Sequence, residues 1–99
     1  MAIPQLSPYE IPPLPTNQAA HWQLDPKRAA LLVHDMQEYF ITAYDRNANP
    51  MSTVLSNIQS IISFADSHGM PVFFSAQPPA QHWSRRGLLN DVWGTGIVT

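Results

Sequence analysis

Between Ala29 and Val33 the chain runs through five consecutive apolar residues, Ala-Ala-Leu-Leu-Val, with no polar residue between them. A half-buried strand alternates apolar and polar residues, and an amphipathic helix spaces its apolar positions by three or four. An unbroken short run does neither and fits a strand covered on both faces, as in a parallel sheet flanked by helices. It is far too short to cross a bilayer. The strand is expected over Arg28 to His34, after a turn at Asp25-Pro26.

The pattern then changes period. From Met51 to His68 apolar residues recur at Val54, Leu55, Ile58, Ile61, Ile62 and Ala65, with Ser, Asn and Gln opposite, which describes one face of a helix. Gly69 is placed to end that helix in the left-handed conformation. A second short apolar run, Pro71 to Ala76, follows and is closed by Gln77-Pro78-Pro79. Strand, helix and strand at this spacing predict a βαβ unit with parallel strands. Met36 to Tyr44 predicts a short helix or turn, 46–50 a loop, and Arg86 to Val92 a helical turn.

Five of the ten prolines fall within the first 15 residues. Residues 1–24 therefore read as an extended, proline-rich arm, since proline interrupts helices and central strands alike. Its apolar residues, among them Ile3, Leu6, Tyr9, Ile11 and Leu14, suggest that it packs over a surface. Residues 25–99 form the other division. Composition narrows the function classes: five Lys and Arg against seven Asp and Glu give a net charge of −2, with no basic stripe for nucleic acid or an anionic membrane. The absence of cysteine removes disulfides and thiolate metal sites. The four histidines show no metal-binding spacing, and no signal peptide is visible at the start, so a cytoplasmic location is expected.

In open parallel sheets ligands bind beyond the carboxyl ends of the strands. That rule selects Asp35, after the first strand, and Gln77, after the second, and puts both on one rim. Asp35 equally suits the cap of the following helix. His34, one residue earlier on the strand, should face away from Asp35 and read as a hydrogen-bonded core histidine. Arg85-Arg86 offers a bidentate carboxylate clamp or a solvated surface pair. Trp93 beside Gly94 offers a cavity wall or ordinary packing.

Four segments together resemble the isochorismatases of catechol-siderophore pathways: Met1 to Pro4, Arg28 to Phe40, Ala76-Gln77-Pro78, and Arg86-Gly87-Leu88-Leu89-Asn90-Asp91-x-Trp93-Gly94-x-Gly96. They occur in order and span nearly the whole chain. The resemblance implies an α/β fold, a Rossmann-like three-layer α/β/α sandwich with a parallel sheet, of which these residues supply the arm and the βαβ portion. It implies Asp35 as the catalytic acid, with Gln77, Arg86, Trp93, Tyr39 and Phe40 around the substrate. It implies hydrolysis of isochorismate to pyruvate and 2,3-dihydro-2,3-dihydroxybenzoate, without cofactor or metal. Thr95 departs from the family pattern, which usually has proline there. The family domain is longer than these 99 residues, and its catalytic lysine belongs to a later motif that the single lysine, Lys27, does not match. The chain is accordingly expected to be a fragment that is inactive alone, or that self-associates or pairs with the remainder of its domain. Three other readings remain: a phenazine-pathway relative acting on the 2-amino analogue, a nicotinamidase-like cysteine amidohydrolase sharing the first-strand aspartate, and a non-catalytic interaction fragment.

Overall fold

In a computed structural model, residues 3–16 and 20–98 are described. Met1 and Ala2, which take part in the family resemblance, lie outside them, as does Thr99. The elements run β1 (Leu31–His34), α1 (Glu38–Ile41), α2 (Met51–Ser67), β2 (Val72–Ser75), α3 (Trp83–Arg86) and α4 (Leu89–Trp93). The two strands pair in parallel, Leu31 opposite Val72 through His34 opposite Ser75, with α2 between them in sequence. This is the expected βαβ unit, a small parallel sheet with helices and so part of an α/β fold.

Both strands are shorter than the apolar runs that announced them. Pro26–Arg28 forms a 3-10 turn in which the Asp25 carboxylate accepts from the Lys27 amide at 3.0 Å, so the chain becomes extended only after Arg28. The ladder starts where the Leu31 amide donates to the Pro71 carbonyl at 2.9 Å. Pro71 thus uses its acceptor while lacking a donor to contribute.

Helix α2 ends as its sequence dictates. The Met70 amide reaches back to the Ala65 carbonyl at 2.9 Å and the Gly69 amide to Asp66, with Gly69 at φ 67°. This is the Schellman arrangement, which needs a residue tolerant of positive φ. Ala65 and Met70, the two residues it brings together, are both buried.

The expectation of a strand covered on both faces does not hold in this chain. Val33 is buried, but Leu32 is 59% exposed and its neighbour Phe73 58% exposed. Among the described residues α2 packs against one face of the sheet, and only in part, since Phe74 opposite Val33 is 69% exposed, while the other face is open. Of the predicted apolar face of α2, Ala65 is buried and Val54, Leu55, Ile58 and Ile62 are half-buried, but Ile61 is 46% exposed, because a sheet of two strands is too narrow to cover the face. The described core is correspondingly thin: Val33, Ile41, Ala43, Met51, Ala65, Met70 and Ile97.

The described residues of the arm, 3–16 and 20–24, form no helix or strand and are attached by their backbone. The Leu6 amide donates to the Ala43 carbonyl at 2.8 Å and the Tyr9 amide to the Asn49 carbonyl at 3.0 Å. The Asn49 side chain adds a hydrogen bond to Glu10. Its larger apolar side chains stay mostly in solvent, Leu14 almost entirely, so hydrogen bonds rather than apolar burial hold it down. The expected terminal helical turn is two short helices, α3 and α4, joined through Gly87 at φ 55°.

Candidate active site

The two strands stop together, and three side chains at their ends are tied to one another. Asp35 has φ 53°, a left-handed conformation that costs a non-glycine residue energy and recurs at functional sites. Its amide donates to the Ser75 carbonyl at 3.2 Å and to the Ser75 hydroxyl at 3.1 Å. That hydroxyl lies 3.4 Å from Asp35 Oδ1 and 2.6 Å from His34 Nδ1. The His34 Nε2 atom is 3.4 Å from Asp35 Oδ2.

Three expectations fail here. Alternation along a strand puts His34 and Asp35 on opposite faces. The left-handed turn at Asp35 ends the alternation and brings its carboxyl round to the histidine. His34 is hydrogen-bonded as expected, but its side chain is 71% exposed rather than in the core, because none of the described residues covers that face of the sheet. Nor does Asp35 cap a helix. The cap position of α1 is Gln37, and it makes no side-chain capping bond. The Asp35 side chain is 37% exposed, so the rim does not enclose it in this chain.

Gln37 has another use. Its side-chain amide donates to the Gln77 carbonyl at 3.0 Å, and its side-chain oxygen accepts from the Gln77 amide at 2.8 Å. The carboxamide copies a backbone rung and extends the pairing beyond the last residue of each strand. Both main-chain groups of Gln77 are thereby satisfied, and the residue is held at the rim.

Beyond this clamp lies a cavity of about 290 Å³ lined by Ile3, Tyr39, Phe40, Gln77, Arg86, Leu89, Trp93 and Gly96. Five of the six residues expected at the site therefore meet around one space, although they come from α1, the loop after β2, and α3 and α4. Asp35 is not in this wall; it stands on the same rim, joined to it through Gln37 and Gln77. The Tyr39 and Phe40 rings meet edge to face, with centroids 5.2 Å apart, and hold each other in place.

Arg86 is the residue whose surroundings say most. It is only 5% exposed, which removes the solvated-pair reading. Its Nε donates to the Gly94 carbonyl at 2.9 Å. Among the described residues it has no carboxylate partner, since the ion pairs found are His34 with Asp35 and Arg46 with Glu38. Burying an arginine without a counter-charge is costly by several kcal/mol, and an incoming anion relieves that cost. None of its nitrogens is both sealed from solvent and without a partner, and the residue is part of the cavity wall.

Sequence reasoning missed five contributors. Gln37, Ser75 and Gly96 stand in or beside the recognised motifs, yet nothing in their identity announces a clamp, a hydroxyl bridge or a place in the cavity wall. Ile3 and Leu89 are apolar side chains that the chain path brings to the wall. Among the described residues no group of three or more His, Cys, Asp or Glu side chains gathers as a metal site, and no helix is long and apolar enough to cross a membrane.

Comparison with known proteins adds an independent line. The isochorismatase domain, as a family pattern, matches residues 29–96. Enterobactin synthase component B of Escherichia coli (strain K12) is 42% identical over 101 residues, covering 99% of this chain and 35% of the relative. Isochorismatase of Bacillus subtilis is 41% identical over 100 residues, covering 98% and 32%. Phenazine biosynthesis protein PhzD of Pseudomonas fluorescens is 42% identical over 98 residues, covering 96% and 46%. The chain thus spans from about a third to just under a half of the length of the curated relatives it matches.

Proposed function

This chain belongs to the isochorismatase family, and from that premise we propose that it supplies the acid and the carboxylate anchor of a hydrolase that splits isochorismate. The whole domain is read as the three-layer sandwich of which the βαβ unit is a part. The observation that carries the proposal is the buried Arg86, without an acidic partner among the described residues, in a cavity shared with Gln77, Trp93, Tyr39 and Phe40.

The reaction is hydrolysis of a vinyl ether. Asp35, in its protonated form, donates to the terminal enol carbon, and the adjoining carbon becomes an oxocarbenium centre. Water adds there and returns its proton to the Asp35 carboxylate, leaving a hemiketal. Collapse breaks the ether C–O bond, so that pyruvate takes the new carbonyl and the ring keeps the hydroxyl of 2,3-dihydro-2,3-dihydroxybenzoate. Arg86 holds a substrate carboxylate through charge-assisted hydrogen bonds and keeps the enol carbon near the acid. Ser75 and His34 orient the Asp35 carboxyl. No step calls for a metal or organic cofactor.

No lysine lines the cavity: Lys27 lies in the 3-10 turn ahead of β1. The reading therefore includes that the 99 residues alone release little or no pyruvate, and that a siderophore-pathway turnover belongs to a longer assembly. The test is pyruvate release from isochorismate, followed with lactate dehydrogenase. One arm uses this chain alone. The other uses a chimera in which it replaces the matching segment of the Escherichia coli relative, with and without Asp35→Asn. Turnover by the chimera that falls at least ~10³-fold in the variant supports Asp35 as the acid. A folded Asp35→Asn chimera with undiminished turnover removes it from that role. A second reading, hydrolysis of the 2-amino analogue, is favoured by the 42% identity to the phenazine-pathway relative; the same assay with that substrate decides between them.

A further inference from the structure

A buried guanidinium has to be held as well as enclosed. Arg86 closes α3, and its Nε is committed to the Gly94 carbonyl at 2.9 Å. Against the same group lies Gly96, with φ 68°. A Cβ built on Gly96 would stand 2.5 Å from Nη1, 2.7 Å from Cζ and 2.8 Å from Nη2 of Arg86. The near-equal distances put that carbon over the guanidinium rather than beside one nitrogen. All three are closer than non-bonded atoms approach, so any side chain at position 96 displaces the arginine head. Gly69 and Gly87 share the left-handed conformation, at φ 67° and 55°, but nothing lies within 4 Å of a Cβ on either. Gly96 meets a second demand that those two do not.

We infer that Gly96 is a positioning residue for the carboxylate anchor: its bare backbone seats the Arg86 guanidinium so that Nη1 and Nη2, with Nε already bound, receive a ligand carboxylate end-on. The inference rests on the carboxylate reading of the cavity given above. It deepens that reading by fixing which edge of the arginine the ligand meets and what keeps that edge in place. Leaving Nε on Gly94 while pushing the rest of the group aside tilts the two free nitrogens away from the ligand, and charge-assisted hydrogen bonds weaken steeply with misalignment.

The experiment is NMR titration of the chain with benzoate, with benzamide as the uncharged control. The variants are Arg86→Ala, Gly96→Ala, Gly96→Asn, Gly69→Ala and the double variant Arg86→Ala/Gly96→Asn. Asparagine tolerates positive φ yet carries the offending Cβ, and Gly69→Ala introduces the same backbone strain away from the cavity. The expected result is benzoate binding weakened about tenfold or more in both Gly96 variants, unchanged in Gly69→Ala, and no weaker in the double variant than in Arg86→Ala. Should Gly96→Ala fail to fold, Gly96→Asn carries the test. Should both fail, recovery of folding in the double variant supports the clash, and failure to recover overturns it. Wild-type affinity in a folded Gly96→Asn chain overturns the inference alone. If the wild-type chain binds benzoate no better than benzamide, the carboxylate reading falls and takes this inference with it.

Discussion

The βαβ unit and the segment after it divide the work of the molecule in opposite ways. The βαβ unit is built from regular backbone, a parallel ladder, a 17-residue helix and a complete glycine cap, apart from the turns between Asp35 and Pro50. Yet its side chains are poorly covered, with Leu32 59%, Phe73 58% and Phe74 69% exposed. From Trp83 to Ile97 the regular structure amounts to two helices of four and five residues, yet here the chain buries a charge. Regularity satisfies the backbone without help from neighbours, whereas burial needs chain on every side. Turns at Gly87, Gly94 and Gly96, all at positive φ, wrap the second region around Arg86. The ladder cannot wrap anything, but it sets where Asp35 and Gln77 stand.

The contrast can be broken most sharply at Arg86. Replacing it with methionine is expected to abolish carboxylate binding, a loss of roughly 1.5–3 kcal/mol for charge-assisted hydrogen bonds. Stability should hold or rise, because the variant removes an arginine that has no counter-ion among the described residues. Urea denaturation beside a benzoate titration reads both, and a large fall in stability would mean that Arg86 is a structural ion rather than an anchor.

Next come paired substitutions on the two faces of β1. Val33→Ala removes buried methyl groups and should lower stability by about 1–2 kcal/mol. Leu32→Thr, on the open face, should change it by less than about 0.5 kcal/mol and improve solubility by shrinking an exposed apolar patch. Comparable losses at both positions would show that the open face is covered in solution, by a second copy or otherwise.

At the strand ends, Ser75→Ala removes the hydroxyl shared by His34 and the Asp35 amide and should cost about 1 kcal/mol. The Asp35 amide keeps the Ser75 carbonyl, so hydrogen exchange at Asp35 should quicken only modestly. Exchange as fast as in the free chain would show that the left-handed turn depends on the hydroxyl itself.

The smallest effect concerns the arm. Partial burial, followed by the hydrogen bond to Tyr9, raises the Tyr44 phenol above its ordinary value of 10.0. A group raised in this way stabilises the fold fully below that ordinary value. The contribution is lost as pH rises through the raised value, when the phenol ionises. Arm attachment should therefore weaken only in strongly alkaline solution, and Tyr9→Phe should reduce that sensitivity. Detachment near neutral pH would assign the arm to other contacts.

Local chemistry was enough to specify several features. The period of Met51 to His68 gave a helix with the right face inward, Gly69 gave its end, and two apolar runs gave parallel strands whose ends share a rim. Each follows from a preference that acts within a few residues: helical spacing, tolerance of positive φ, or the need to pair an extended backbone. The family resemblance supplied Arg86, Trp93, Tyr39 and Phe40, which no local rule would have gathered.

Four matters were decided only when the chain closed on itself. Arg85 and Arg86 are equal in the sequence, yet one sits in solvent and the other is buried against Gly94 and Gly96, which follow α4. His34 reads as a core residue because it ends an apolar run, and it is exposed because none of the described residues covers that face. Gln37 becomes a clamp only because Gln77, 40 residues later, arrives opposite it. Asp35 turns toward His34 through a single backbone angle that its side chain does not announce. Sequence alone determined the elements and the rim, since those depend on residue spacing. Tertiary structure decided which side chains lose water and which meet, since burial and contact are properties of the assembled chain.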